Sequence, residues 1–169
     1  MKLSDALALI ETGLDLATHK KWADLGCGAG LFTRALASRL SNGSTIYAID
    51  KHKPHIESMN GVQIENVQMD FVESPLPFTT IDGILMANSI HFVKDKILFV
   101  RNISRMLNKN GVWIMVEYDT DEANRWVPFP VSFESLKKIF EKAGYMTVRK
   151  LSSVPSIYRR GSIYSALIQ

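Results

Sequence analysis

The sequence contains only one cysteine, Cys27, and no apolar run close to the roughly twenty residues that a membrane-spanning helix needs. A single cysteine cannot form a disulfide within the chain, so we expect a reducing, cytoplasmic location. The first twenty residues lack a basic stretch followed by an apolar core, so no secretory signal is predicted. Low-complexity tracts and internal repeats are also missing. Together these absences predict a soluble globular protein with no membrane partner.

The chain also lacks a large excess of charge of one sign, since 20 Lys and Arg residues and 17 Asp and Glu residues give a net charge of +3. The basic residues are spread along the chain, and solvated loops explain the local groups at 51–53 and 159–160. We therefore expect no nucleic-acid partner. No cluster of metal-ligating residues is visible, so no metal is expected. The 169 residues suffice for one domain, predicted over 1–169, and hardly for two.

Three glycines at alternate positions, Gly26, Gly28 and Gly30, follow a short apolar run and precede an amphipathic stretch over 31–40. This pattern predicts a strand, a tight turn and a helix. Glycine lacks a Cβ atom, so the backbone of such a turn can approach a ligand closely. A second apolar run ends in Asp50, about where a nucleotide ribose would sit beside the turn. The sequence therefore predicts a site for an adenosine-containing cofactor.

The spacing of the glycines distinguishes between cofactors. A dinucleotide fingerprint reads G-x-G-x-x-G/A, but its third small position is Leu31 here. Asp24 lies two residues before the first glycine, where a carboxylate would repel a pyrophosphate and would suit an ammonium group. The run resembles the first motif, D/E-x-G-x-G-x-G, of the class I S-adenosylmethionine-dependent methyltransferases. Two alternatives stay open: a strand–turn–helix joint with glycines for packing only, and a dinucleotide-dependent reductase.

Apolar runs rich in β-branched residues alternate with helical patterns along most of the chain, which predicts a mainly parallel sheet. Strands are predicted over 21–25, 45–50, 64–69, 82–87, 111–118, 145–151 and 162–168. Helices are predicted over 3–18, 30–40, 53–60, 94–107 and 133–143, the last between Ser132 and Gly144, with a short piece at 72–76. The last two strands form a hairpin. The predicted fold is α/β: a three-layer sandwich with a mostly parallel seven-stranded sheet, one antiparallel strand from the C-terminal hairpin, and helices on both faces.

The resemblance covers about residues 20–168 and implies roles for the residues that match the family's motifs. Asp24 would receive the ammonium of S-adenosylmethionine, directly or through water, and Asp50 would accept both ribose hydroxyls. The turn would carry the methionine portion of the cofactor, with Gly26, Cys27, Gly28 and Gly30 beneath it. For Asp50 the alternative is a helix N-cap or a surface acid. Residues 1–20 would form a helix that either closes over the cofactor as a lid or caps the sheet.

The same resemblance extends to the ends of the third and fourth strands. Asp70 would accept from the adenine amino group, and Met69 or Phe71 would cover the ring. The family often has an apolar residue after the ribose acid, and this chain has Lys51, whose aliphatic stem could serve. Asn88 would lie near the methyl group. The alternative for Asp70 is an ordinary turn residue.

His91 is the candidate general base, because an unperturbed histidine titrates near neutrality. A histidine at that position is also often a packing residue. Glu117, Arg125 and Trp126 are candidate acceptor-binding residues after the fifth strand, although the aromatic side chains there could instead anchor a loop. Tyr158 and Arg159 are weaker candidates in the final hairpin.

The implied activity is transfer of the methyl group of S-adenosylmethionine to an O, N or C nucleophile of a small molecule. The chain has Asn88-Ser89-Ile90-His91 where the methyltransferases of exocyclic DNA amines carry N/D-P-P-Y/W. Cys27 lies away from the region that supplies the nucleophile for cytosine C5 methylation, and arsenic methylation needs several thiols. The alternative from another class is a non-catalytic module that binds S-adenosylmethionine or S-adenosylhomocysteine as a sensor or complex partner.

Overall fold

The structure is a computed structural model that describes residues 1–18, 20–155 and 161–169. Its strands are β1 (Lys21–Leu25), β2 (Thr45–Asp50), β3 (Gln63–Gln68), β4 (Ile81–Ala87), β5 (Leu107–Tyr118), β6 (Val148–Pro155) and β7 (Ser162–Ile168). Its α-helices are α1 (Leu3–Leu9), α2 (Leu31–Ala37), α3 (Lys96–Ser104) and α4 (Phe133–Ala143), and Ile90–Phe92 forms a 3-10 turn. None of the described helices is long and apolar enough to cross a membrane.

The described strands form one sheet in the order β3-β2-β1-β4-β5-β7-β6. Strands β1 to β5 pair in parallel, whereas β7 runs antiparallel both to β5 and to β6. The chain runs outward from β1 to β3 and then returns to place β4 on the other side of β1. Ligands of open α/β sheets bind at the carboxyl ends of the strands beside such a reversal. The predicted fold class, including its single antiparallel strand, is confirmed.

Helices cover both faces of the sheet. Side chains alternate along a strand, so Trp22 of β1 packs with α1 and α2, whereas Ala23 and Leu25 join the cluster that contains α3 and α4. Parallel strands covered on both sides read as nearly continuous apolar runs, which is what the sequence shows for β1, β4 and the second half of β5. The two buried layers hold the carboxyl ends of the strands in fixed positions.

Several element bounds agree with the sequence prediction. Strands β1, β2 and β7 begin and end at the predicted residues. Helix α4 also has its predicted ends, since Oγ of Ser132 accepts a hydrogen bond from the Ser135 amide at 3.3 Å and Gly144 follows with φ of +106°. Strand β5 begins at Leu107, which is earlier than predicted, and β6 begins at Val148, which is later than predicted.

The predicted helices over 53–60 and 72–76 are wrong, because both segments are irregular. The amide of Ile56 donates to Oδ1 of Asn66 on β3, and Nδ2 of the same asparagine donates to the Ile56 carbonyl, both at 2.9 Å. These two bonds satisfy the Ile56 backbone groups outside a helix and hold the segment against the sheet edge. Prolines within or beside both segments, Pro54, Pro75 and Pro77, also disfavour helix.

The predicted helix over 3–18 ends at Leu9, half way along its predicted length. Beyond that point, side chains accept hydrogen bonds from backbone amides. The Leu14 amide donates to Oγ1 of Thr12 at 3.0 Å, and the Ala17 amide donates to Oδ1 of Asp15 at 2.9 Å. Short polar residues of this kind compete with helical hydrogen bonds. Ala6 and Leu9 of α1 are fully buried on the face of the sheet that also holds α2.

Candidate active site

The glycine turn is fastened to the end of β2 by two backbone hydrogen bonds. The amides of Gly26 and Cys27 both donate to the carbonyl of Ile49, at 2.8 and 3.0 Å. Gly26 has φ of +84°, and a Cβ atom at that position would lie 2.5 Å from Cβ of Ser89. Only glycine therefore fits this position, on conformational and on steric grounds.

Gly28 and Asp50 meet at the far side of the same turn. The Gly28 amide donates to Oδ2 of Asp50 at 2.9 Å, and the His52 amide donates to Oδ1 at 2.9 Å. A Cβ atom added to Gly28 would meet nothing within 4 Å, so the space above the turn is open. The carboxylate is thus fixed in orientation beside an open volume.

That open volume is a pocket of about 700 Å³ at the carboxyl ends of β1 to β4, within the size range of small-molecule sites. It brings together many of the residues predicted from the sequence: Gly26, Cys27, Gly28, Asp50, Lys51, Asp70, Phe71 and Asn88. Its lining does not include the predicted residues Asp24, Gly30, Met69, His91, Glu117, Arg125 and Trp126. Tyr158 and Arg159 lie outside the described residues.

The pocket is also lined by residues that were not predicted as site residues: His52, Val72, Glu73, Ala87, Ser89 and Phe92. All of them lie at or shortly after the ends of β2, β3 and β4, within a few residues of a predicted site residue. The available signal was therefore proximity to a strand end. No local pattern distinguishes Ser89, for example, from its neighbours in the sequence.

Asp70 and Phe71 form the end of the pocket that follows β3. Oδ1 of Asp70 accepts a hydrogen bond from the Val72 amide at 3.0 Å, which fixes the turn and leaves the carboxylate half-exposed. Phe71 is 9 % exposed and packs edge-on against Phe99 at 6.0 Å between ring centroids. Met69 packs into the core cluster on the same side of the sheet.

Asp24 lies under the glycine turn, only 1 % exposed, on the face of the sheet that carries α2. The hydroxyl of Thr33 donates to Oδ2 of Asp24 at 2.6 Å, whereas Oδ1 is buried and has no hydrogen-bond partner in the part of the chain that the structure describes. Burial raises the pKa of Asp24 from 3.8 to about 7; the Thr33 hydrogen bond acts in the opposite direction and the Asp50 charge adds to the rise. Among the described residues, no cationic side chain forms an ion pair with this carboxyl group.

Cys27 and Gly30 have different surroundings within the turn. Burial, reinforced by the Asp24 and Asp50 carboxylates, raises the pKa of the Cys27 thiol, so this side chain is a neutral thiol and not a nucleophilic thiolate. A Cβ atom at Gly30 would lie 2.5 Å from the side chain of Ile56. Gly30 therefore serves the packing of the 53–60 segment against α2.

The end of β4 presents two polar residues to the pocket. Asn88 has φ of +54°, its amide donates to the Val116 carbonyl at 2.8 Å, and its buried Oδ1 has no partner. The hydroxyl of Ser89 donates to the Leu25 carbonyl, which joins the ends of β4 and β1. Asparagine tolerates the left-handed conformation better than most residues. Asn88 is thus held with an unused acceptor at the pocket.

His91 and Glu117 form a buried pair beside the pocket, 4 % and 0 % exposed. Nδ1 of His91 lies 2.8 Å from Oε2 of Glu117, and Oε1 accepts from the Tyr118 amide at 2.9 Å. The His91 ring packs against Phe92, a pocket residue, with 4.3 Å between centroids. Among the described residues, Nε2 of His91 takes part in no hydrogen bond. Glu117 therefore contacts a candidate base, although it was predicted as an acceptor-binding residue.

The loop that contains Arg125 and Trp126 is anchored by a residue that the sequence analysis missed. Lys96 is 7 % exposed, and its Nζ donates to the carbonyls of Val93 and Phe129, at 2.8 and 2.7 Å. Burial lowers the pKa of Lys96, while the nearby Glu117 charge opposes that effect. Trp126 is 78 % exposed, with the Arg125 guanidinium 5.7 Å from its ring centroid.

Comparison with known proteins gives the class to which this fold and site correspond. Residues 23–115, more than half of the chain, match the family described as the methyltransferase domain. The chain belongs to this family, whose methyl donor is S-adenosylmethionine, and the resemblance stated from the glycine motif is confirmed.

A curated relative is 2-methyl-6-phytyl-1,4-hydroquinone methyltransferase 1, chloroplastic, from Oryza sativa subsp. japonica, 26% identical over 152 residues. The match covers 82% of this chain and 45% of the relative, so the chain spans about half the length of that protein.

Two solved structures illustrate the similarity of the fold. The Burkholderia thailandensis 1,6-didemethyltoxoflavin-N1-methyltransferase, with bound 1,6-didemethyltoxoflavin and S-adenosylhomocysteine, has a TM-score of 0.74 at 17% identity and coverage of 98% and 76%. A SAM-dependent methyltransferase from Aquifex aeolicus has a TM-score of 0.62 at 20% identity, with both chains covered fully.

Proposed function

We propose that this chain catalyses methyl transfer from S-adenosylmethionine to a small-molecule acceptor. The observation that carries this proposal is the pocket itself, in which an open glycine turn and two strand-end carboxylates, Asp50 and Asp70, surround one volume. Ionised carboxylates are strong acceptors for hydroxyl and amino donors, at roughly 1.5–3 kcal/mol for each bond. A ribose and an adenine amino group supply such donors.

The residues of the site fit the cofactor on two further counts. Asp24 and Asn88 each have a buried oxygen atom without a hydrogen-bond partner among the residues that the structure describes. Buried acceptors of this kind are usually satisfied in a complete site. The acidic residues around the turn, Asp24 and Asp50, favour a ligand that carries a positive charge over one that carries a pyrophosphate. This charge disfavours the dinucleotide-dependent reductase.

The bound cofactor supplies an electrophilic methyl group on a sulfonium centre. The chain's own contribution is to hold the acceptor in line and to exclude water, which can account for much of the rate acceleration. Asn88, at the end of β4, would lie beside the reacting centre. His91 would take up, at Nε2, the proton that the methylated substrate loses, because the contact with Glu117 occupies Nδ1 and orients the ring.

Exposed aromatic residues beside the pocket support an apolar or aromatic acceptor. Phe92 lines the pocket and is 52 % exposed, and the amide of Phe129 donates to the His91 carbonyl at 3.0 Å, so the two phenylalanines belong to neighbouring segments. Arg125 and Trp126 precede Phe129 on the same loop. The names of the rice relative and of the Burkholderia enzyme point to small-molecule acceptors, a hydroquinone in the first case. We propose a reducing, cytoplasmic location on the basis of the single cysteine.

One observation favours the alternative of a non-catalytic binding module. His91 is nearly inaccessible and does not line the pocket, so the site has a cofactor-sized volume without an evident base. Such a module would bind S-adenosylmethionine and S-adenosylhomocysteine without turnover.

Calorimetric titration with S-adenosylmethionine, S-adenosylhomocysteine and a nicotinamide dinucleotide tests the proposal. We expect micromolar binding of the first two ligands, loss of binding in Asp50→Ala, and unchanged affinity in Asp82→Ala. Asp82 is a matched control because its carboxylate also accepts backbone amides, those of Lys20 and Lys21, away from the pocket lining. Mass spectrometry of aromatic hydroxyl and amine acceptors then detects methylation. Binding without methylation of any acceptor would favour the module, and preferential dinucleotide binding would overturn the proposal.

A further inference from the structure

Asp24 and Thr33 form a buried pair that neither the family match nor the relatives explain. Thr33 is fully buried on α2, and its hydroxyl donates to Oδ2 of Asp24 at 2.6 Å. The other carboxyl oxygen, Oδ1, is buried, and none of residues 1–18, 20–155 and 161–169 forms a hydrogen bond with it. Gly26, two residues further along the chain, lines the pocket. The Thr33 hydroxyl thus occupies one oxygen of the carboxyl group and leaves the other available behind the pocket wall.

The charges around Asp24 favour its neutral form in the absence of a ligand. The acidic groups that face it are Asp50 at the end of β2 and the Cys27 thiol in the glycine turn. Of the arginines on and after α2, Arg34 donates to the Ala29 carbonyl and Arg39 pairs with Glu11.

The neighbouring elements among the described residues do not supply a cation to Asp24. Strand β4 ends at Ala87 and is followed by the uncharged Asn88, and Asp5 on α1 accepts the Lys2 amide. No Lys, Arg or His side chain of the described residues forms an ion pair with Asp24.

We infer that the buried carboxyl group of Asp24 is protonated in the unliganded protein and releases its proton when the cofactor's ammonium group binds, with Thr33 as the positioning residue that holds the ionised carboxylate. This inference rests on the proposed function, because it requires the amino-acid part of the cofactor to reach this end of the pocket. An ammonium group provides a counter-charge that no described side chain supplies to Asp24 through an ion pair. A nearby opposite charge favours the ionised form of a carboxyl group. Cofactor binding would then be coupled to pH, and Thr33 would set the pH range.

The sign of the coupling follows from the raised pKa of about 7. Below that pH the proton must leave before the carboxylate can pair with the ligand, so affinity rises with pH by up to about tenfold per unit and becomes constant above it. The Thr33 hydroxyl lowers the Asp24 pKa, so its removal moves this transition to higher pH.

Titration calorimetry with S-adenosylhomocysteine from pH 5.5 to 8.5, in pairs of buffers with different ionisation enthalpies, measures both affinity and protons released. We expect close to one proton released at pH 6 and almost none at pH 8.5. The ligand 5′-methylthioadenosine, which has the adenosine part without the ammonium group, should bind without this release. Asp24→Asn should weaken binding and remove the pH dependence, while it retains the ionisable side chains that line the pocket, such as Asp50 and Asp70.

Variants of Thr33 separate positioning from packing. Thr33→Val retains the shape and loses the hydroxyl, so its affinity profile should shift to higher pH, whereas Thr33→Ser should retain the wild-type profile. The carbon-13 chemical shift of the Asp24 carboxyl group gives an independent titration in the unliganded protein. A flat wild-type affinity profile with no proton release would overturn this inference and leave the proposed function intact. Failure of S-adenosylhomocysteine to bind at any pH would overturn both.

Discussion

The backbone amide of Gly28 donates a hydrogen bond to Oδ2 of Asp50 at 2.9 Å, so the open part of the glycine turn is fixed to the end of β2. The same carboxylate accepts the His52 amide through Oδ1. Asp50 therefore organises the pocket and also presents charge to it.

Replacement of Asp50 by Asn should weaken binding of S-adenosylhomocysteine by at least tenfold, because one side-chain oxygen becomes an N–H donor that faces a backbone N–H. The loss corresponds to about 1.5–3 kcal/mol for a hydrogen bond to a charged group. Calorimetric titration measures the effect, with Asp82→Asn as the control. Equal affinities for Asp50→Asn and the wild type would contradict a role for Asp50 in the site.

Replacement of Asp24 by Asn should stabilise the unliganded protein at high pH. The pKa of Asp24 is raised from 3.8, its ordinary value, which applies in the unfolded chain, to about 7 in the folded protein. The free energy of unfolding therefore falls as the pH rises from about 4 to 7. Three pKa units correspond to an upper limit of roughly 4 kcal/mol. Urea unfolding should show a higher free energy of unfolding for the variant than for the wild type, and the difference should be larger at pH 8 than at pH 5. Parallel pH dependences for variant and wild type would show that Asp24 does not titrate in this range.

Replacement of Gly26 by Ala should destabilise the fold more than the same change at Gly43. Both glycines have positive φ, +84° and +82°, which costs an alanine about 1–2 kcal/mol. At Gly26 the added methyl group also meets Ser89 at 2.5 Å, whereas nothing lies within 4 Å at Gly43. Overpacking adds roughly 1–3 kcal/mol. Denaturant midpoints of the two variants test this, and similar losses at both positions would mean that the Ser89 contact relaxes freely.

Replacement of Lys96 by Met should destabilise the segment around Phe129. The change removes hydrogen bonds to the Val93 and Phe129 carbonyls and leaves Glu117 without its nearby cation. We expect a loss of about 2–3 kcal/mol, together with faster hydrogen exchange at the Phe129 amide. Lys94→Met is the control, because Lys94 is exposed and surface changes usually stay within about 0.5 kcal/mol. An unchanged exchange rate in Lys96→Met would exclude the anchoring role.

Replacement of His91 by Asn tests the proposed base once an acceptor is known. The asparagine amide can still donate to Glu117, so cofactor affinity should change little while kcat falls by about 10²–10⁴. His55→Asn is a suitable control, because His55 is exposed and does not line the pocket. A wild-type kcat and pH profile for His91→Asn would assign His91 to packing.

Features that depend on short-range patterns were predictable from the sequence. The glycine spacing, the acid at the end of β2 and the signals at Ser132 and Gly144 each specify local backbone conformation. The alternation of apolar runs with helical patterns then specified the sheet class and its final hairpin. Because parallel strands end at one edge, most of the site residues predicted after β1 to β4 meet in one pocket, although Gly30, Met69 and His91 do not line it.

Contacts between distant segments required the tertiary structure. The 53–60 segment has a helical pattern, yet Asn66 on β3 binds both backbone groups of Ile56 and holds it outside a helix. Glu117 pairs with His91, 26 residues away, and Thr33 meets Asp24 across the glycine turn. The burial of these groups determines which charges are paired and which ionisable side chains keep their protons. Burial depends on how all the layers pack, and no local stretch of sequence contains that information.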